Sequence, residues 1–431
     1  MFNLTFNIIT LGCKVNQYES QLMFEYMCEA GFVPCDDMKA DITIINSCTV
    51  TSTSDSKNRK VINRTRRENP DAVIVLTGCM PQAFANELHL FKECDIVLGN
   101  VLRSEVVPCI KEFLVSRQQI IRIDEHKKGE EFEKMRVNKF LERTRAFVKI
   151  EDGCNRFCSY CIIPYARGRV RSKSLVDLKA EVEVLSQKGY NEIVLVGINL
   201  SAYGDDTGAT LADAVEYVCS VPGIERVRLS SLEPELMTED VLERLSKLPQ
   251  FCPHFHLSLQ SGCDLTLKRM HRHYTSNEYA QIVANIRRIF DNPSITTDIM
   301  VGFAGETDDE FNSSLNFADE IGFAKVHVFS YSRRKGTLAD KMPDQVDPKI
   351  KNIRSKLMIE HTDKKRNEFL QSQVGRVEEV LFEIKNRKGY YEGYTKNYTP
   401  VYLKSDIDVI GKIVNVKITE ACDDYCIGII Q

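Results

Sequence analysis

The residues in this 431-residue chain whose types and spacing suit chemistry are two groups of three cysteines. The compact group is Cys154-Asn-Arg-Phe-Cys158-Ser-Tyr-Cys161, a C-x3-C-x2-C array. Three thiolates within eight residues can wrap one corner of a cubane, because soft sulfur ligands suit iron–sulfur centres. With three protein ligands, the fourth iron is left open to a small molecule. A structural zinc site wants four ligands, commonly as C-x2-C pairs, and no fourth Cys or His lies nearby in the sequence. The second group is dispersed: Cys13, Cys48 and Cys79 each follow a short apolar run. If those runs are parallel strands, their C-terminal ends share one edge, where such sheets bind ligands. Burial as small core residues is the plain alternative for these three. The other cysteines read as packing or surface thiols, and the Cys422/Cys426 pair has no evident further ligand.

The elements that must position these thiols follow from the hydrophobic pattern. In the first ~120 residues the runs 7–11, 42–46, 72–76 and 96–98 read as buried strands, and 18–30, 54–68 and 82–91 as helices. That alternation predicts a parallel α/β sheet. Residues 123–143 are dense in charge and read as a linker or exposed excursion. The rhythm then resumes, with strands expected at 146–150, 192–197, 226–230, 254–259, 294–301 and 325–329. Six such units predict a partial (β/α)6 barrel with its chemistry at the C-terminal strand ends. A charged amphipathic helix is expected over 350–373, followed by alternating strands that predict a small antiparallel β-barrel. The expected domains are 1–122, 143–370 and 371–431, with 123–142 as the linker.

Composition sets the outer bounds. Hydrophobic residues make up 43% and charged residues 27% of the chain, as in ordinary soluble proteins. No apolar run approaches the roughly 18 residues that span a bilayer, and the N-terminus lacks a signal-peptide pattern. A cytoplasmic location without membrane attachment is therefore expected, and fifteen cysteines in a reducing compartment point to metal or catalysis. The net charge of −4 hides local runs: residues 143–173 hold eight Lys or Arg against two acids. From Arg376 onward, eight basic residues face nine acidic ones, so charge gives the tail no affinity for RNA.

The C-x3-C-x2-C array after a barrel strand resembles the radical S-adenosylmethionine (SAM) superfamily. That resemblance implies a [4Fe-4S] cluster on Cys154, Cys158 and Cys161, with SAM on its open iron. It also implies that Tyr160 meets the SAM adenine and that Gly197, Glu233, Gln260 and Asp298, in strand-end segments, contribute SAM contacts. Taken together, a three-cysteine α/β domain, a radical SAM barrel and a TRAM-like barrel resemble the radical SAM methylthiotransferase family over nearly the whole chain. The stretch Thr10-Leu11-Gly12-Cys13-Lys14-Val15-Asn16-Gln17-Tyr18-Glu19-Ser20 is similar to its MtaB branch, whereas the MiaB branch carries Gln-Met and the RimO branch Pro-Lys after this cysteine. Ala304 and Lys335 depart from the family by standing where Pro is usual.

The resemblance implies a second [4Fe-4S] cluster on Cys13, Cys48 and Cys79. It also implies conversion of N6-threonylcarbamoyladenosine at tRNA position 37 to its 2-methylthio form, through hydrogen abstraction at C2, sulfur insertion and methyl transfer. The expected partners are a tRNA anticodon stem-loop and an electron-donor protein. Beside the compact triad, Arg156, Arg167, Arg169, Arg171 and Lys173 are expected to hold the RNA backbone. In the tail, Tyr390, Tyr391, Tyr394 and Tyr398 could stack on bases or pack the barrel. Three other functions remain open at this point: a methylthiotransferase for isopentenyladenosine at position 37, one for a ribosomal-protein Asp, and a non-catalytic metal-stapled RNA-binding protein.

Overall fold

The computed structural model describes residues 4–36, 39–101, 103–140 and 144–431. In the first domain the expected strands form at Thr5–Thr10, Ile42–Ser47, Val73–Gly78 and Ile96–Leu98, joined by short edge strands Val33–Pro34 and Ile120–Arg122. All six are parallel, in the order 33–34, 5–10, 42–47, 73–78, 96–98, 120–122. Strands 42–47 and 73–78 are buried on both faces, which explains their unbroken apolar runs. The expected helix over 82–91 is instead a five-residue helix, Cys79–Ala83, and a separate 3-10 turn, Leu88–Phe91. This matters for function, because Cys79 thereby opens a helix directly at a strand end.

The central domain is the expected partial barrel. Its strands are Arg145–Lys149, Glu192–Val196, Arg226–Leu229, His254–Leu257, Ser294–Val301 and Lys325–Ser330. The third strand breaks at Ser230 and resumes as Ser231–Leu232, so the wall divides into a three-stranded and a four-stranded parallel sheet. Helices Leu175–Gln187, Leu211–Cys219, Glu239–Ser246, Ser276–Ile289 and Asp308–Ile321 start at side-chain caps that satisfy orphan backbone N–H groups. Thr210/Asp213, Thr275/Glu278 and Thr307/Glu310 form full capping boxes.

Helix Pro348–Ser372 leads to a closed five-stranded barrel in the order 377–385, 391–395, 400–403, 426–430, 413–421. Strands 400–403 and 426–430 run parallel and the other pairs antiparallel. This barrel closes the N-terminal mouth of the central one. Arg226 donates to the carbonyls of Tyr394 (3.1 Å) and Glu379 (2.7 Å), and Arg228 to those of Lys396 (2.9 Å) and Thr395 (3.2 Å).

Segment 123–143 corrects the expected exposed excursion. Its described residues form no helix or strand, yet Met135, Val137 and Phe140 are buried in the core shared by the first two domains. The Val137 N–H donates to Glu181 (2.9 Å) and the Phe140 N–H to the Tyr190 hydroxyl (2.9 Å). It is a strap whose apolar contacts are spaced too irregularly to read as an element. Among the described residues no helix is long and apolar enough to cross a membrane.

Candidate functional site

The compact triad is held by a turn that only glycine permits. Strand Glu151–Asp152 pairs with Arg171–Ser172, and Gly153 follows at φ +89°, where a Cβ would lie 2.0 Å from the Arg169 carbonyl oxygen. Cys154, Cys158 and Cys161 follow, close enough for their thiols to interact electrostatically. Burial pushes the Cys154 thiol up to about 12, and the neighbouring Cys158 adds to the effect. Burial likewise pushes Cys158 and Cys161 up. Each sulfur already receives a donor: Arg272 Nη1 on Cys158 (3.3 Å), the Ile163 N–H on Cys161 (3.4 Å), and Asn199 Nδ2 near Cys154 (3.8 Å). Crowded thiols that resist ionisation, surrounded by donors suited to thiolates, fit a cationic iron–sulfur centre that deprotonates its ligands outright.

The strand ends around this triad carry buried polar atoms without partners among the described residues, namely Glu151 Oε1, Asn199 Oδ1 and Ser230 Oγ. Orphaned buried oxygens are costly, and they fit a polar ligand such as SAM. Tyr160 sits edge-on to Phe303, with ring centroids 6.3 Å apart. At Gly197 a Cβ would meet Glu151 Oε2 at 2.6 Å, so the glycine permits that close approach. Burial raises the Glu151 carboxyl well above its ordinary value, and its Oε2 accepts from the Asn199 N–H (2.7 Å). Glu233 pairs with Arg272, the residue that reaches Cys158, and so belongs to the triad's surroundings. Gln260 adopts φ +68° and hydrogen-bonds the backbone of strand 294–301 through Asp298 and Met300. Asp298 turns to the lumen, 3.4 Å from His256 Nε2. Arg272 was not legible in the sequence, since nothing local marks it, whereas Asn199 belongs to the strand-end segment 197–199 already expected near SAM.

The dispersed triad also converges. Cys13, Cys48 and Cys79 follow three adjacent strands, 5–10, 42–47 and 73–78. Gly12, at φ +111°, brings the chain so close that a Cβ would lie 2.6 Å from Cys48 Cβ and 2.9 Å from its Sγ. Cys13 keeps accessible surface, yet desolvation pushes its thiol up to about 11, with Cys79 and Cys48 contributing and Arg167 opposing. Among the described residues no three His, Cys, Asp or Glu side chains close on a single ion. A cubane asks for a different arrangement, with each cysteine on its own iron.

Arg167 joins the two triads. It lies six residues after Cys161, is fully buried, and donates from Nε to Cys79 Sγ at 3.2 Å. Its other nitrogens bond Glu19 (2.6 Å), Asn16 (2.7 Å) and Asp152 (3.3 Å). Arg103 (2.7 Å) and Lys149 (2.8 Å) complete the cage around Glu19. Burial would raise the Glu19 carboxyl, but Arg103, Arg167 and Lys149 hold it down at about 2.

This corrects three of the expected RNA contacts. Arg167, Arg171 and Lys173 are buried. Arg171 is turned to Asp152 and Glu130 (3.5 Å each), and Lys173 to Glu181. Their charges are neutralised by carboxylates, and Arg167 through Glu19 braces the domain seam. Arg156 is half-buried against Glu235 (3.0 Å), and Arg169 is exposed, with its guanidinium over the Phe157 ring. In the tail, Tyr391 is a core residue, and Tyr394 stacks on Tyr398 at 4.5 Å beneath the central barrel. Lys335 forms an ion pair with Glu87 of the first domain (2.8 Å).

Comparison with known proteins agrees with this layout. Three family models match: an uncharacterized protein family, UPF0004, over residues 5–99, the radical SAM superfamily over 148–318, and the TRAM domain over 371–430. A threonylcarbamoyladenosine tRNA methylthiotransferase MtaB of Bacillus subtilis (strain 168) is 39% identical, across 96% of this chain and 94% of the relative. A tRNA-2-methylthio-N(6)-dimethylallyladenosine synthase of Pelotomaculum thermopropionicum is 34% identical, across 99% of this chain and 97% of the relative. Among solved structures, the radical SAM methyltransferase TsrM of Kitasatospora setae shares the fold at TM-score 0.60 and 12% identity, covering 79% of this chain and 74% of that one. With its cysteine triads at the strand ends of an α/β sheet and a partial barrel, and relatives matching end to end, this chain belongs to the radical SAM methylthiotransferase family.

Proposed function

We propose that the chain converts N6-threonylcarbamoyladenosine at position 37 of the tRNA anticodon loop to its 2-methylthio derivative. In this reading two [4Fe-4S] clusters are held, one by Cys154, Cys158 and Cys161 and one by Cys13, Cys48 and Cys79. The single observation that carries it is Arg167, which follows the first triad in sequence and hydrogen-bonds a sulfur of the second. Bound there, SAM and the clusters supply radical chemistry, sulfur and a methyl group.

The chain's own contribution is positioning and exclusion of water. Glu151, whose carboxyl burial raises well above its ordinary value, accepts from the Asn199 backbone N–H beside Cys154. Arg272 ties Glu233 to Cys158. The Arg103–Lys149–Arg167 cage round Glu19 locks the first domain to the barrel, so that both triads keep one relative placement. The target base must leave its stack to reach them, which suits an anticodon-loop position. Arg156 and Arg169, at the site's outer edge, are the remaining cations for the RNA backbone. An electron-donor protein and a cytoplasmic setting complete the reading.

Relatives named for threonylcarbamoyladenosine reach 39% identity, against 34% for those named for dimethylallyladenosine. Nucleoside mass spectrometry of tRNA from cells with and without the protein tests the substrate. Loss of the methylthio-threonylcarbamoyl nucleoside on deletion supports it. Its persistence, with loss of the methylthio-dimethylallyl nucleoside instead, replaces it with the second substrate. Anaerobic reconstitution tests the clusters, with about eight irons per chain expected and about four contradicting the second one.

A further inference from the structure

The lumen of the central barrel holds a cavity of about 580 Å³ that shares Ser230 and Asp298 with the strand ends described above but is lined by none of the six cysteines. It runs from Ser230 and Ser231 at the strand ends, past His256 and Asp298, to Tyr398 of the small barrel at the closed end. One residue of the first domain enters it: Lys14, the residue directly after Cys13. Among the described residues no hydrogen bond or ion pair reaches the Lys14 ammonium.

The surroundings of Lys14 carry excess positive charge. Arg145 and Arg228 flank the closed end, and both, together with Arg226, draw on one carboxylate, Glu192 (3.7, 3.0 and 3.7 Å). Arg145 has a second partner in Glu383 (2.5 Å), and Arg226 a distant one in Glu379 (3.9 Å). Lys14 shares neither. The Tyr398 hydroxyl reports the resulting field. Burial would raise it, yet Arg145, Lys14 and Arg228 hold it below the ordinary phenol value. Of the two carboxylates on the cavity wall, Asp298 lies 3.4 Å from His256 and Asp424 pairs with Arg366 (3.0 Å) and Lys325 (3.8 Å). Lys14 is half-buried, burial disfavours its ammonium, and an anionic guest in the cavity would favour it.

We infer that Lys14 is the specificity residue of the lumen, receiving the carboxylate of an amino acid attached to N6 of the target adenosine. The inference rests on the proposed function, because the threonylcarbamoyl group carries one carboxylate at its far end whereas a dimethylallyl group carries none. It adds a means of choosing between them. A carboxylate brought to Lys14 completes a charge-assisted pair, and a hydrocarbon brought there leaves the ammonium desolvated and unpaired. That penalty is how a site rejects a near-isosteric competitor.

The test uses anaerobically reconstituted full-length protein and synthetic anticodon stem-loops. Position 37 carries threonylcarbamoyladenosine, the same group with its carboxylate converted to a carboxamide, or plain adenosine. The unaltered protein should bind the carboxylate form about tenfold to hundredfold more tightly than the carboxamide, the ratio expected of one charge-assisted hydrogen bond. Lys14→Met should abolish that ratio and leave binding of the plain loop unchanged, while Lys14→Arg should retain most of it.

Equal binding of carboxylate and carboxamide by the unaltered protein overturns the inference, as does a ratio that survives in Lys14→Met. A uniform loss across all three loops also overturns it, assigning Lys14 to a backbone phosphate instead. If Lys14→Met fails to fold or to hold iron, the carboxylate-to-carboxamide ratio of the unaltered protein decides alone. Turnover separates this inference from the reading beneath it. A protein that methylthiolates threonylcarbamoyladenosine without any carboxylate preference refutes only the Lys14 assignment, and a protein inert on that loop refutes the substrate itself.

Discussion

Replacing Glu19 by Gln tests whether the charge cage at the domain seam holds the two triads together. Glu19 is fully buried and meets Arg167, Arg103 and Lys149 at 2.6, 2.7 and 2.8 Å. Its carboxyl lies at about 2 in the fold against an ordinary 4.5. At about 1.4 kcal/mol per pH unit that gap corresponds to about 3 kcal/mol of stability. The group's folded value is depressed, so this stability is fully present above pH ~4.5 and is lost as pH falls toward about 2. Glu19→Gln removes the anion, leaves three buried cations sharing Asp152 and Glu133, and should cost about 3 kcal/mol at pH 7. For a domain of this size that is a fall in melting temperature of about 6–12 °C. The assay is anaerobic thermal and urea unfolding of the full chain at pH 7 and pH 4. At pH 4 the unaltered protein has given up about 1 kcal/mol of the Glu19 term and the variant none of it, so the gap between them should narrow by that amount. A variant within about 0.5 kcal/mol of the unaltered protein at pH 7, or a gap that widens in acid, refutes the reasoning.

Three further outcomes follow from the geometry. Cys79→Ala should halve the reconstituted iron, from about eight to about four per chain, and iron analysis beside protein concentration reads this directly. Gly12→Ala forces a side chain into φ +111° and onto Cys48, which should cost about 1–3 kcal/mol and deplete iron at the dispersed triad while leaving the compact one loaded, as compared against Cys13→Ser. Arg228→Met removes donors to the carbonyls of Thr395 and Lys396 and leaves Glu192 with fewer cations. The small barrel should then be released by limited proteolysis before residue 377 at protease levels that spare the unaltered chain.

What the sequence made legible was the part governed by periodicity. Ile96–Leu98 and Ser294–Val301 form at their expected bounds, because short apolar runs closed by turn residues have few other solutions. The cysteines could be placed at strand ends for the same reason. Partnership was not legible. Arg167 and Lys173 sit in a visibly basic window, but the carboxylates that neutralise them, Glu19 and Glu181, belong to helices that only the fold brings near. A window of charge shows which residues are cations and says nothing of what faces them. The strap at 123–143 was misjudged likewise, since its few apolar residues, Met135, Val137 and Phe140, follow neither a helical nor a strand period. Lys14 carries no periodic or motif signal of its own, and only the cavity reveals where its ammonium leads.

The seam between the central and terminal barrels has a consequence for how such a protein can diverge. Arg226 and Arg228 grip main-chain oxygens of residues 379 and 394–396, and every amino acid presents the same oxygen there. Side chains on the outward surface of the terminal module are thus free to change without loosening that main-chain grip. The share of the anchorage that side chains carry, in Arg145–Glu383 and the His254–Tyr398 stack, is the part that substitution can reach.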